Sequence, residues 1–113
     1  MPPPVGLAAT PDNSGLVWTT QPYFPPTYSG TSFSHPFKIT PGTGSFPSSS
    51  SAPAVTVTAS DDNGVNDDNG QGNVTSYNTS QVLLTASASN SNGLGTNLNL
   101  TIVLTYSASV LPK

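Results

Sequence analysis

From Leu98 to Ala108 the chain alternates without a break. Leu98, Leu100, Ile102, Leu104, Tyr106 and Ala108 fall on one side, and Asn99, Thr101, Val103, Thr105 and Ser107 on the other. Successive side chains of an extended strand point to opposite faces, so a period of two over eleven residues demands a strand with one apolar face; no helix gathers these positions on one side. Two shorter runs repeat the pattern: Val55, Val57 and Ala59 alternate with threonines, and Val82, Leu84, Ala86 and Ala88 alternate with Leu83, Thr85 and Ser87. Between the last two runs, Asn92-Gly93 suits positive φ, which predicts that the 82–88 and 98–108 strands form a hairpin. Helix is disfavoured throughout. There is no Glu or Arg, and polarity comes from 17 Ser, 15 Thr and 10 Asn, whose short side chains compete for backbone hydrogen bonds.

The composition changes near residue 53. Eleven of twelve prolines and seven of nine aromatics lie at or before Pro53. Proline removes a ladder donor and pushes its predecessor toward extended geometry. Residues 1–53 therefore read as an extended Pro- and aromatic-rich arm, with short strands possible at Leu16–Thr19 and Phe33–Thr40, the latter demoted to an edge by Pro36. Residues 54–113 read as an antiparallel β domain. The expected fold is all-β, a small antiparallel sandwich or barrel-like domain with the arm at its N-terminus. Three or four strands rich in alanine make a thin core, so either the arm or other copies of the chain must cover the Ala86 and Ala88 face. This favours a homo-oligomer, most economically a trimer, built by the 54–113 half.

The inventory of reactive groups is short. A lone histidine, His35, and five aspartates are all that could serve acid–base chemistry, with no Gly-x-Ser-x-Gly elbow, so no catalytic residue is assigned and the chain is expected not to be an enzyme. Four aspartates crowd into the 61–68 stretch, where Asp-Asn-Gly steps favour turns. Hard cations take oxygen ligands from such loops, and Asp62, Asn66 and Asp68 would be the first calcium ligands; without a glutamate to close the site, solvated turns are expected instead, with no metal and no cofactor. Three Asn-x-Ser/Thr triplets, at Asn73, Asn78 and Asn99, are what so much Ser and Thr produces by chance. Lys38 and Lys113 cannot form a basic patch, which argues against a nucleic-acid partner. No apolar run approaches the length of a spanning helix, no membrane partner is expected, and Met1-Pro2-Pro3-Pro4 has neither the basic stretch nor the apolar core of a secretory signal. Cysteine is absent, so there is no disulfide and no thiolate site.

What remains is contact with other proteins. Aromatic side chains entering pockets are the usual anchors of an interface. Trp18, Tyr23, Phe24, Phe33 and Phe37, set among prolines that have already stiffened the backbone, are the expected partner-binding residues of the arm.

In this layout the chain resembles a head decoration, or cement, protein of a tailed bacteriophage. The resemblance rests on the Pro-rich lead-in from Met1 to Pro53, the Ser/Thr/Asn/Gly-rich β half and the closing strand Leu98–Ala108. It implies a structural virion protein on the capsid surface, assembled in the host cytoplasm, that bridges subunits of the major capsid protein. The same style is shared by phage tail fibres and other minor virion proteins, and by extracellular β adhesion modules and filament subunits.

Overall fold

A computed structural model describes residues 2–26, 30–61 and 68–110 of the 113-residue chain. These residues form seven strands: β1 (Val5–Pro11), β2 (Val17–Thr20), β3 (Ser32–Pro41), β4 (Ala54–Ser60), β5 (Asn69–Tyr77), β6 (Val82–Ser89) and β7 (Asn99–Thr105). A 3-10 turn at Ala108–Val110 follows. The strands make one all-β sheet in the order β4-β7-β2-β1-β3-β6-β5. The two outer strands, β4 and β5, curl round and pack on each other, so the sheet is a nearly closed barrel.

The predicted alternation is realised in burial from Leu98 to Tyr106, but the strand ends at Thr105, and Ala108, expected on its apolar face, is exposed in the 3-10 turn. In β7, Leu100, Ile102 and Leu104 are fully buried while the intervening residues are only partly covered. In β6, Val82, Leu84, Ala86 and Ala88 face the core. The pairing differs from expectation. β6 and β7 are not a hairpin: β6 lies between β3 and β5, and β7 between β2 and β4. The Asn90–Asn97 connection instead crosses the barrel end. A turn forms there, with the Gly93 N–H donating to Asn90 O and Gly93 at φ +96°, but it redirects the chain rather than doubling it back.

The first half is not an arm beside a separate 54–113 domain. β1, β2 and β3 are the three central strands of the sheet. β1 manages this by splitting its pairing. Val5–Ala9 run parallel to Phe37–Pro41 of β3, and Ala9–Pro11 run antiparallel to Trp18–Thr20 of β2. Prolines are tolerated because they sit where ladders stop. Pro11 and Pro41 end their strands. Pro36 comes one residue before β1 begins to pair, at Phe37, so its missing N–H interrupts no bond to β1. β3 is therefore an interior strand and not an edge.

This placement also answers what covers the alanines. Ala86 lies opposite His35 and Ala88 opposite Phe33, so large rings on β3 fill the space that small residues on β6 leave. Trp18, Phe37, Ile39 and Phe46 from the first half share one buried cluster with Leu84, Leu94, Leu98, Leu100, Ile102, Leu104 and Tyr106 from the second. The core is completed within one chain.

One buried polar contact holds the centre. Thr20 is buried at the end of β2, and its Oγ1 accepts the Ile102 N–H of β7 at 3.0 Å. Just beyond, Tyr23 pairs with Leu100, whereas continuing the Thr19–Val103 register would put it opposite Asn99. The β2 side thus carries one extra residue, a bulge, and the Thr20 hydroxyl satisfies the amide that the bulge would orphan. Thr20→Val keeps the shape and removes the acceptor. It is expected to cost about 1–3 kcal/mol, the penalty of leaving a buried N–H unpaired, read as a lower denaturant midpoint at unchanged slope.

Candidate functional site

At the bulge the chain leaves the sheet as Gln21-Pro22-Tyr23-Phe24-Pro25-Pro26. Tyr23 is clamped by two backbone bonds: its N–H donates to Leu100 O at 2.8 Å and its carbonyl accepts the Leu100 N–H at 2.9 Å. Its ring meets Phe37 edge-on at 5.2 Å. The next residue, Phe24, points outward and is 64 % exposed, the one large hydrophobic side chain displayed to solvent among the described residues. Proline on both sides of this pair fixes φ. Phe24 is therefore an apolar ring presented next to a residue whose two backbone groups are both bonded to β7.

The other expected partner-binding aromatics do something else. Trp18 is buried; its Nε1–H donates to Gly15 O at 2.9 Å, and its ring packs edge-on against Phe46 at 4.8 Å. Phe37 is fully buried. Phe33 is half-buried against the core and lies nearly parallel to His35, 6.3 Å away; His35 in turn meets Phe37 at 5.8 Å. Tyr23, Phe37, His35 and Phe33 thus form a continuous aromatic row, with Trp18 in a second group beside Phe46 and Tyr106. Trp18 and Phe37 hold the fold and cannot meet a partner; of the five, Phe24 is free to do so. Composition could not separate these roles, because arm and core strand both alternate aromatics with polar residues here.

Of the three candidate calcium ligands, Asp62 and Asn66 lie outside the described residues. Asp68 Oδ1 accepts a hydrogen bond from Asn90 Nδ2 at 2.7 Å. Asn90 is itself buried and doubly used in the turn: its Oδ1 accepts the Asn92 N–H, and its N–H donates to Thr31 O. Asp68 is thereby a tie between the barrel end and the turn that follows β6. Among the described residues no three His, Asp or Glu side chains gather to hold a metal. Asp12 likewise has a local job: its Oδ1 accepts from the Ser14 hydroxyl at 2.7 Å and from the Ser14 N–H at 3.1 Å, closing the β1–β2 turn. The Ser14 hydroxyl, ahead of the backbone donors, holds the Asp12 carboxyl below its usual range.

A surface cavity of about 260 Å³ lies between the segment after β3 and the β5–β6 turn, lined by Pro47, Ser48, Ser49, Tyr77, Asn78 and Thr79. No candidate site falls here in the sequence reading. Nothing in the local sequence marks the cavity, since its two walls are some thirty residues apart.

Tyr106 carries a buried hydroxyl without a hydrogen-bond partner. Burial alone pushes its pKa from 10.0 up to about 12. A raised folded-state pKa means that the folded protein holds the proton more tightly than the unfolded chain. This contribution to stability is whole below pH 10 and is lost as pH rises through about 12. Tyr106→Phe is expected to be neutral or slightly stabilising at pH 7, because it removes an unpaired buried hydroxyl. It should also flatten the alkaline loss of stability between about pH 10 and 12, measured as Tm against pH beside the parent chain.

No family model, no curated protein and no solved structure matches the chain.

Proposed function

We propose that the chain is a structural virion protein, a capsid decoration or cement protein that sits on the particle surface and strengthens it by gripping neighbouring subunits. Phe24 is the observation that supports this reading most directly. A large apolar side chain exposed in water stabilises nothing by itself, and here it follows Tyr23, whose N–H and carbonyl are both bonded to Leu100. A backbone held before binding has less freedom left to lose when its side chain enters a pocket. The remaining features agree with a protein that works by contact: a nearly closed barrel, outward strand faces of small hydroxyl residues, and a net charge of −3 from only seven charged residues. The proposed partners are the major capsid protein and further copies of the chain. A homotrimer remains part of the proposal; core completion does not argue for it, since β3 covers Ala86 and Ala88.

The test begins with the adjoining reading frames, where a major capsid gene is expected. Undecorated capsids of that protein are mixed with the purified chain and sedimented. The chain should co-sediment, and should still do so near 1 M salt, where exposed charges are screened. Phe24→Ser should weaken binding by roughly thirtyfold, the effect of losing an interface anchor, at unchanged Tm. Binding equal to the parent for Phe24→Ser, or loss of parent binding in salt, would remove Phe24 as the anchor. No co-sedimentation at all would sink the decoration reading.

A further inference from the structure

We propose that the cavity between residues 47–49 and 77–79 binds a neutral pyranose ring, as in the outer saccharides of a cell surface. The inference does not depend on the capsid reading.

The walls are preformed. The Phe46 N–H donates to Thr79 O at 3.0 Å, tying the segment after β3 to the β5–β6 turn. On one side, the Ser49 hydroxyl donates to Ser51 O at 2.8 Å and accepts the Ser51 N–H at 3.1 Å. On the other, Asn78 Oδ1 accepts the N–H groups of Ser80 and Gln81 at 2.8 and 2.9 Å, while the Asn78 N–H donates to Gln81 O at 2.9 Å. With its oxygen occupied twice, the Asn78 carboxamide offers its NH2 as donor to anything in the cavity. Ser48 and Thr79 add hydroxyls that both donate and accept.

The lining selects a ligand class. None of the six residues carries a charge at neutral pH, so there is no counter-ion for a phosphate, a carboxylate or an amine. Hydroxyls and an amide would be left unpaired by a purely apolar guest. Tyr77 and Pro47 nevertheless bring apolar ring carbons to the same lining. A sugar ring meets both demands, with one C–H face to lie on an aromatic ring and a rim of hydroxyls to exchange hydrogen bonds. The volume, about 260 Å³, lies just below the usual range for ligand cavities, which suits a single ring.

The full chain, isotopically labelled, is titrated with methyl glucopyranoside, galactopyranoside and mannopyranoside and with N-acetylglucosamine up to about 50 mM, a range that captures a weak millimolar site. At least one sugar should produce saturable amide shifts confined to residues 46–51 and 77–81. Tyr77→Phe should bind within about threefold of the parent, and Tyr77→Ala at least tenfold more weakly. Tyr77 also packs against the core, so Ser48→Trp serves as the second variant. It fills the cavity from an exposed position and should abolish the shifts while the rest of the spectrum stays folded. No saturable shift with any of the four sugars, shifts elsewhere on the molecule, or shifts that survive Ser48→Trp would overturn the proposal.

Discussion

Deleting residues 1–53 is expected to abolish folding outright. The deletion removes β1, β2 and β3, the middle of the strand order, and leaves β4-β7 and β6-β5 as two ribbons that meet only where β4 packs on β5. A two-stranded ribbon is marginal in water on its own. It also removes Trp18, Phe37, Ile39 and Phe46 from the buried cluster, where one large-to-small change already costs about 2–5 kcal/mol. Together these exceed the roughly 5–15 kcal/mol by which a domain is stable. Even removal of residues 1–31 takes β1 and β2 and cuts the sheet between β7 and β3. Circular dichroism and sedimentation should show an unfolded or aggregated 54–113 fragment. A fragment that unfolds cooperatively with a β signal would contradict the sheet order described above. It follows that truncation cannot probe capsid binding by this chain, and the point variant at Phe24 can.

The strands most legible in the sequence are those whose period needs no partner to be seen. β4, β6 and β7 alternate plainly, and β2 and β3 fall on the stretches Leu16–Thr19 and Phe33–Thr40. β1 escaped notice because its alternation is nearly silent: Gly6, Ala8 and Thr10 separate Val5, Leu7 and Ala9, and prolines flank the run. β5 escaped because Asn69-Gly70-Gln71-Gly72 reads as turn chemistry, and only its place beside β6 makes it a strand. The hairpin expectation failed for a related reason. An Asn-Gly step shows that the chain turns, not which strand it turns toward; β6 and β7 each found longer-range partners. The candidate site divides the same way. That aromatics in the first half matter was legible; that Trp18 and Phe37 point inward is set by their registers with β7 and with β1 and β6, and Phe24 follows the bulge at Thr20–Tyr23, all properties of pairing.

Gly70 and Gly72 mark where the barrel closes, and replacing Gly70 is expected to be the most damaging small substitution. Three strands set up the geometry. Across β3, β6 and β5, Phe33 lies opposite Ala88 and Ala88 opposite Gly70; in the next row His35 lies opposite Ala86 and Ala86 opposite Gly72. Side chains shrink to nothing along each row, and the space freed on β5 admits β4. A Cβ built on Gly70 would fall on the Val57 carbonyl, and one on Gly72 on Val55 Cγ1. Neither glycine has positive φ, so space and not backbone conformation excludes a side chain. This separates the outcome from the ordinary one: a strand-interior glycine replaced by alanine should gain stability through lower unfolded-state entropy, by about 0.4–1 kcal/mol. Gly70→Ala should instead lose about 3 kcal/mol, the upper part of the overpacking range, because the group it meets is backbone and cannot rotate away. Gly72→Ala should lose less, about 1–2 kcal/mol, since a valine side chain can yield. Val55→Ala should then recover part of the Gly72→Ala loss and none of the Gly70→Ala loss, a coupling read from a double-mutant cycle in denaturant. If Gly70→Ala matched or exceeded the parent in stability, β4 and β5 would not be packed as described, and the barrel would be open at that seam.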